Sequence, residues 1–255
     1  MRDDLGADVP LTGPPKRIVS LVPSLTEALA VDHCEQLVGV TDWCTHPADL
    51  DVARIRGTKN PNVAAIVELQ PDLVIANKEE NRELDVLRLR EAGVSVWVTD
   101  IETLDQSFTS MRRLWSEGLG APIPEWLVEA ESIWAEPSRL SSARVACCVW
   151  RDPWMVVGRD TFTGSMLSAL GLNHVLSGSE GRYPAIDIAE LDSMCLDVVL
   201  LPDEPYVFTA EDGPEAFAST PTALCSGRAL TWFGPSMIEA RGHLEKVLSE
   251  ALALR

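Results

Sequence analysis

The chain has 255 residues, 46% hydrophobic and 24% charged, close to the averages for globular proteins and enough to bury a sizeable core. Its formal net charge of −18 argues against binding a phosphate backbone, which needs clustered Lys and Arg, and against docking on anionic lipid. Apolar runs such as Val198-Val199-Leu200-Leu201 fall far short of the roughly 20 residues a membrane-spanning helix needs, so no membrane insertion is expected.

Met1-Arg2-Asp3-Asp4 carries acids where an export signal has a basic patch, and no apolar stretch follows. The expectation is a cytoplasmic protein, with a periplasmic or extracellular lipoprotein as the alternative if a leader has been removed. Arg17-Ile18-Val19-Ser20-Leu21-Val22 reads as a strand, and the residues from Leu25 to Ala30 as a helix start. Leu37-Val38-Gly39-Val40 is a second strand. Asn62 caps a helix that Pro71 stops, and Leu73-Val74-Ile75-Ala76 is a third strand. A helix over 82–92 ends at Gly93, before the fourth strand, Val94-Ser95-Val96-Trp97-Val98. This alternation predicts α/β architecture with a mainly parallel sheet.

Residues 103–138 show no strand pattern. Phe108, Met111, Leu114, Trp115, Leu127, Ile133 and Trp134 recur at helical spacing, and Pro124 suits a first helical turn. Alternation then restarts with a strand at Arg144-Val145-Ala146-Cys147-Cys148-Val149. A helix opened by Thr163-Gly164-Ser165 ends at Gly171, another begins at Asp187, and Asp197-Val198-Val199-Leu200-Leu201 is a strand. Ala229-Leu230 is a last short strand, and 235–254 the final helix. The reading is a lobe over 1–102, a linking helical region over 103–140 and a lobe over 141–255. A weak echo between 66–76 and 191–201, each a short helix before an Asp that opens a buried strand, supports two lobes of one architecture.

Six cysteines, Cys34, Cys44, Cys147, Cys148, Cys195 and Cys225, include no CxxC pair and read as reduced core thiols. In open α/β sheets ligands bind beyond the carboxyl ends of strands. That rule selects Ser24, Trp43, Cys44, His46, Asn77, Arg151, Trp154, Met155, Trp232 and Phe233. Flat aromatics there suit a large, partly apolar ligand. Cys44 and His46 lack a second pair to complete a four-ligand metal set, which leaves His46 as a single axial ligand to a metal inside a larger cofactor. His33, His174 and His243 are read as surface or packing residues. No Walker, Gly-x-Gly-x-x-Gly or Gly-x-Ser-x-Gly motif occurs, and no catalytic residue is assigned.

Pro15-Lys16-Arg17-Ile18-Val19-Ser20-Leu21-Val22-Pro23-Ser24-Leu25-Thr26-Glu27 resembles the opening of the helical-backbone (class III) substrate-binding proteins, which capture vitamin B12, heme and ferric siderophores for ABC importers. His46-Pro47, Ile66-Val67-Glu68-Leu69-Gln70-Pro71-Asp72-Leu73-Val74-Ile75, Gly158-Arg159-Asp160-Thr161 and Tyr183-Pro184 extend the resemblance along 4–254. It implies two Rossmann-like lobes joined by a backbone helix, holding a ligand in a cleft between them. The vitamin B12 binders are the nearest variety. Their cleft aromatics fall near Trp43, Tyr183 and Trp232, and Lys59 and Asn77 stand in regions where others would be. The ligand expected is cobalamin or a related corrinoid, with heme or a ferric siderophore as alternatives; the net charge disfavours anionic siderophores. The exported members carry a transporter-docking acid on each lobe. Here Val63-Ala64-Ala65 replaces one and Glu190 stands near the other. The expectation is therefore non-catalytic storage, delivery or sensing in the cytoplasm without transporter docking. The alternatives are an ABC importer subunit whose signal was removed, or an enzyme acting in the same cleft through groups such as Asp42, Asp152 and Arg159.

Overall fold

The structure, a computed structural model, describes residues 1–140 and 142–253; the predicted helix end at Leu254 lies outside the described residues. The chain divides into two compact units. One comprises Met1–Ile101, Asp105–Glu129 and Phe233–Pro235; the other comprises Glu102–Leu104, Ala130–Trp232 and the chain from Ser236 onward.

The first unit runs β1 (Ile18–Ser20), α1 (Pro23–Asp32), β2 (Leu37–Val40), β3 (Ala53–Arg54), α2 (Val63–Glu68), β4 (Leu73–Asn77), α3 (Glu83–Glu91) and β5 (Val96–Thr99). Its β-branched runs pair only in parallel, in the order β3-β2-β1-β4-β5. Strands covered by helices on both faces read as continuous apolar runs, and every residue of β4 is buried. Val19, Leu21, Ile66, Val74, Leu89 and Val98 lie at the centre of its core. Asn62 caps α2 by accepting from the Ala65 N–H at 3.2 Å, and Gly93 takes φ 83° after α3, as the pattern predicts.

Between the sheets the described chain is helical: α4 (Leu104–Arg113), a π-helical turn over Leu114–Gly118, and α5 (Glu125–Ala135). Six residues holding Gly120, Pro122 and Pro124 separate the two helices. The division between the units falls inside α5, at Glu129.

The second unit runs β6 (Arg144–Trp150), β7 (Met155–Val156), α6 (Phe162–Ala169), β8 (Asn173–His174), α7 (Ile188–Asp192), β9 (Val198–Pro202), β10 (Thr222–Cys225), α8 (Gly227–Thr231) and α9 (Met237–Ala253). Here β10, β9, β6 and β8 pair in parallel, while β7 turns back antiparallel on β6. Two expectations fail. Ala229-Leu230 is helical, because Ser226 accepts from the Ala229 N–H at 3.3 Å and caps α8; the edge strand is β10 instead. The helix expected from Thr163 begins at Phe162, with Thr161 as its cap. His174, read as a surface or packing residue, lies in β8 and is buried.

All six cysteines are free; Cys44, Cys147, Cys148 and Cys225 are buried, whereas Cys34 and Cys195 are exposed. Burial pushes the thiols of Cys148 and Cys225 up to about 12, so both stay protonated and inert at neutral pH.

Candidate functional site

In the first unit the chain order reverses about β1, which has β2 on one side and β4 on the other, so the carboxyl ends of β1 and β4 mark a topological switch point. The structure closes it with amides. Asn77 donates to Thr99 Oγ1 at 3.0 Å and accepts from the N–H groups of Glu79 and Glu80 at 2.9 and 3.2 Å. Asn81 accepts from the Asn77 N–H at 2.9 Å and donates to the carbonyls of Leu21 and Thr58 at 3.3 and 3.0 Å. Asn77 is therefore a turn-forming residue with its amide spent internally, which corrects its reading as a ligand contact. Ser24 is buried in the first turn of α1.

Cys44 requires the same correction. Its thiol is fully buried and shares hydrogen bonds at 3.1 Å with the hydroxyls of Thr26 and Thr41. Burial raises its pKa, which the two hydroxyls only partly offset. Arg54 fixes this loop by donating to the carbonyls of Thr41, Cys44 and Leu50. Trp43, one residue earlier, points the other way and keeps 66% of its surface exposed. It lies against Gly57, where a Cβ would come within 3.1 Å of the indole Nε1. Lys59 follows on the same loop, exposed, with its ammonium on the Glu79 carbonyl.

His46 is exposed, its Nδ1 3.1 Å from Thr45 Oγ1. With Glu27, Ala30, Val31, Pro47 and Pro235 it lines a cavity of about 340 Å³ within the first unit. Among the described residues no group of three or more His, Cys, Asp or Glu is placed to hold a metal ion. A metal would therefore meet His46 only as part of a chelate that supplies its other ligands. Phe233 is buried and belongs to this unit.

In the second unit the turn from β6 to β7 brings Arg151, Trp154 and Met155 together. The Arg151 guanidinium sits 5.3 Å from the Trp154 ring centroid, pairs with Asp212, and meets Glu215 Oε1 at 2.5 Å. Tyr206 donates its hydroxyl to the other Asp212 oxygen at 2.6 Å. Trp154 is buried, stacked on Phe208 at 5.7 Å and edge-on to Phe217 at 5.8 Å. Met155 pairs with Trp150 in the ladder and bridges to Ala185, which brings the segment carrying Tyr183 beside β7. Trp232 is buried at the end of α8 under the Arg228 guanidinium, 5.7 Å from its ring.

Three residues were missed from sequence. Trp150 ends β6 and is 43% exposed; it packs edge-on against Tyr206 at 5.6 Å, and Val207 beside it is 64% exposed. Trp150 lies one position before the run selected by the strand-end rule. Tyr206 and Val207 follow the end of β9, so the same rule reaches them.

No protein-family profile matches the chain. It is 28% identical over 200 residues to an uncharacterized ABC transporter substrate-binding lipoprotein of Bacillus subtilis, a match over 73% of this chain and 64% of that protein, just under two thirds of its length. It is 24% identical over 220 residues to the vitamin B12-binding protein of Pectobacterium carotovorum, covering 82% of this chain and 75% of the relative. Among solved structures, the periplasmic heme-binding protein RhuT of Roseiflexus in apo form superposes with a TM-score of 0.80 at 23% identity, over 93% and 99% of the two chains. The periplasmic vitamin B12-binding protein of Vibrio cholerae gives 0.73 at 19%, over 93% and 98%. The two-lobed α/β fold with parallel sheets is the fold of these proteins.

Proposed function

From its kinship with the helical-backbone substrate-binding proteins, the family its relatives and its fold both indicate, we propose that the chain captures a tetrapyrrole-type metal chelate, cobalamin or heme, for an ABC importer. This replaces the expected role in cytoplasmic storage, because the relatives include a transporter-associated lipoprotein and periplasmic binders. One observation carries the reading to a residue: Trp43, a large flat side chain beyond the carboxyl end of β2, stays two-thirds exposed on a loop that Arg54 and Gly57 hold in place. An exposed indole fixed by its surroundings loses little entropy when a flat apolar ring covers it.

Transporter docking belongs to the same proposal. Glu190 is exposed in the first turn of α7, where an importer arginine has access to it. Titration with cyanocobalamin and with iron protoporphyrin IX, followed by tryptophan fluorescence, tests the capture step. Saturable quenching by one of them is expected, with Trp43→Ala weakening it by about tenfold or more and leaving the fold intact. A flat titration with both ligands overturns the proposal.

A further inference from the structure

The rim of the ligand is where the two tetrapyrrole classes differ. Heme carries two propionates, ionised at neutral pH, whereas the corrin of cobalamin is edged with neutral carboxamides. A carboxylate leaving water needs a cation or a strong donor to replace its hydration, and guanidinium in a two-point bond is the usual answer.

On the second unit the natural candidate, at the end of β6, is already committed. Arg151 is held by Asp212 and Glu215 together, with Trp154 against its face, and Tyr206 fixes Asp212 from the far side. Asp152, Asp203 and Glu211 stand exposed on the loops after β6 and β9. Arg159 pairs with Asp160 at 3.3 Å and Arg182 with Glu102 at 2.5 Å. On the first unit Lys59 rests on a carbonyl, Lys78 pairs with Asp100 at 2.8 Å, and Arg54 serves three carbonyls. The same loops of the second unit leave Trp150 and Val207 substantially exposed, surface that attracts an apolar ring face whatever its rim.

We propose that the Asp212–Arg151–Glu215 triad makes the chain selective for an uncharged, amide-edged tetrapyrrole over one bearing free carboxylates. The triad withdraws the one guanidinium at the end of β6 and sets a net negative charge in its place. This inference rests on the tetrapyrrole reading above. The carboxyl of Glu215 is held below its ordinary range by the Gly213 N–H and by Arg151, so the negative charge persists at neutral pH. Like charges brought together at a desolvated contact are strongly disfavoured, so a propionate arriving here meets repulsion where it needs a partner.

Parallel titrations of the whole chain with cyanocobalamin and iron protoporphyrin IX provide the test. The wild type is expected to bind cyanocobalamin more tightly. The double variant Asp212→Asn, Glu215→Gln frees Arg151 and should narrow the preference by on the order of tenfold, through a gain for heme with cyanocobalamin little changed. Asp212→Asn alone, which keeps the Glu215 bond, should narrow it by about threefold and serves if the double variant fails to fold. Heme binding at least as tight as cyanocobalamin, or a preference unmoved by freeing Arg151, overturns the selectivity proposal while leaving tetrapyrrole capture standing. Failure of both ligands to bind the wild type instead overturns the tetrapyrrole reading, and the selectivity with it.

Discussion

Arg17 and Arg144 build the same clasp in the two units. Arg17 precedes β1 and donates its guanidinium to the Leu69 carbonyl at the end of α2, at 2.7 and 3.1 Å. Arg144 opens β6 and donates to the carbonyls of Met194 and Cys195 after α7, at 3.0 and 3.1 Å. In each case an aspartate closes the loop: Asp72 accepts from the Arg17 N–H at 2.9 Å, Asp197 from the Arg144 N–H at 2.7 Å. A residue with positive φ, Gln70 at 49° and Cys195 at 53°, lies two positions before each aspartate. Among the described residues the opposite ends of the sheets share nothing comparable. After β4 the chain folds into a web of amides around Asn77 and Asn81; after β6 and β9 it builds an aromatic cluster around an arginine held by two carboxylates. The amino ends of the strands hold a common architecture, and the carboxyl ends, where open α/β sheets generally bind ligands, carry the differences.

The largest test of that contrast is Trp154→Ala. Removing a buried indole stacked on Phe208 and edge-on to Phe217 should cost roughly 3–5 kcal/mol in urea denaturation. A loss below about 1 kcal/mol would show that the cluster is loosely packed and that the carboxyl end of the second sheet is not built around it. The clasps come next. Asp72→Ala strands the N–H groups of Lys16 and Arg17, Asp197→Ala that of Arg144, and each should cost about 1–2 kcal/mol. The comparison predicts near equality; values differing by more than about 1 kcal/mol would break the claim that the two clasps are equivalent.

The clasps were legible in the sequence only as an echo. Helix, turn and Asp recur at 66–76 and 191–201, but the arginines that complete the motif lie about 50 residues upstream in each unit, beyond any local pattern. Strands β1, β2, β4, β5, β6 and β9 were readable because β-branched runs bounded by turn residues leave little choice. β3, β7 and β8 were not, because two-residue strands are set by a neighbour's ladder and not by their own composition, and β10, with one β-branched residue in Thr222-Ala223-Leu224-Cys225, carries no such run. At the candidate site, residue type selects loops but says nothing of the direction of their side chains. Trp43 and Cys44 are adjacent, yet one is two-thirds exposed and the other fully buried, and only the Thr26 and Thr41 hydroxyls decide which. Arg151 was readable as a cation beyond a strand end, whereas Asp212 and Glu215, which claim it, are more than 60 residues away.

The smallest expected effect distinguishes the units by their response to acid. The second unit holds His174 in β8, buried, with Nε2 3.0 Å from the Val157 carbonyl and Nδ1 without a hydrogen-bond partner among the described residues. Burial lowers its pKa below the ordinary 6.5, and the Val157 bond offsets this only in part. The folded chain therefore binds fewer protons at this site than the unfolded chain does. Its contribution to stability is full above the unfolded value near 6.5 and is lost as the pH falls from there through the folded value. Thermal midpoints measured by circular dichroism from pH 7.5 to 5 should fall in the wild type and fall less in His174→Gln, which keeps a donor for Val157 and cannot titrate. Parallel slopes for the two proteins would show that the acid response of this unit arises elsewhere than at His174.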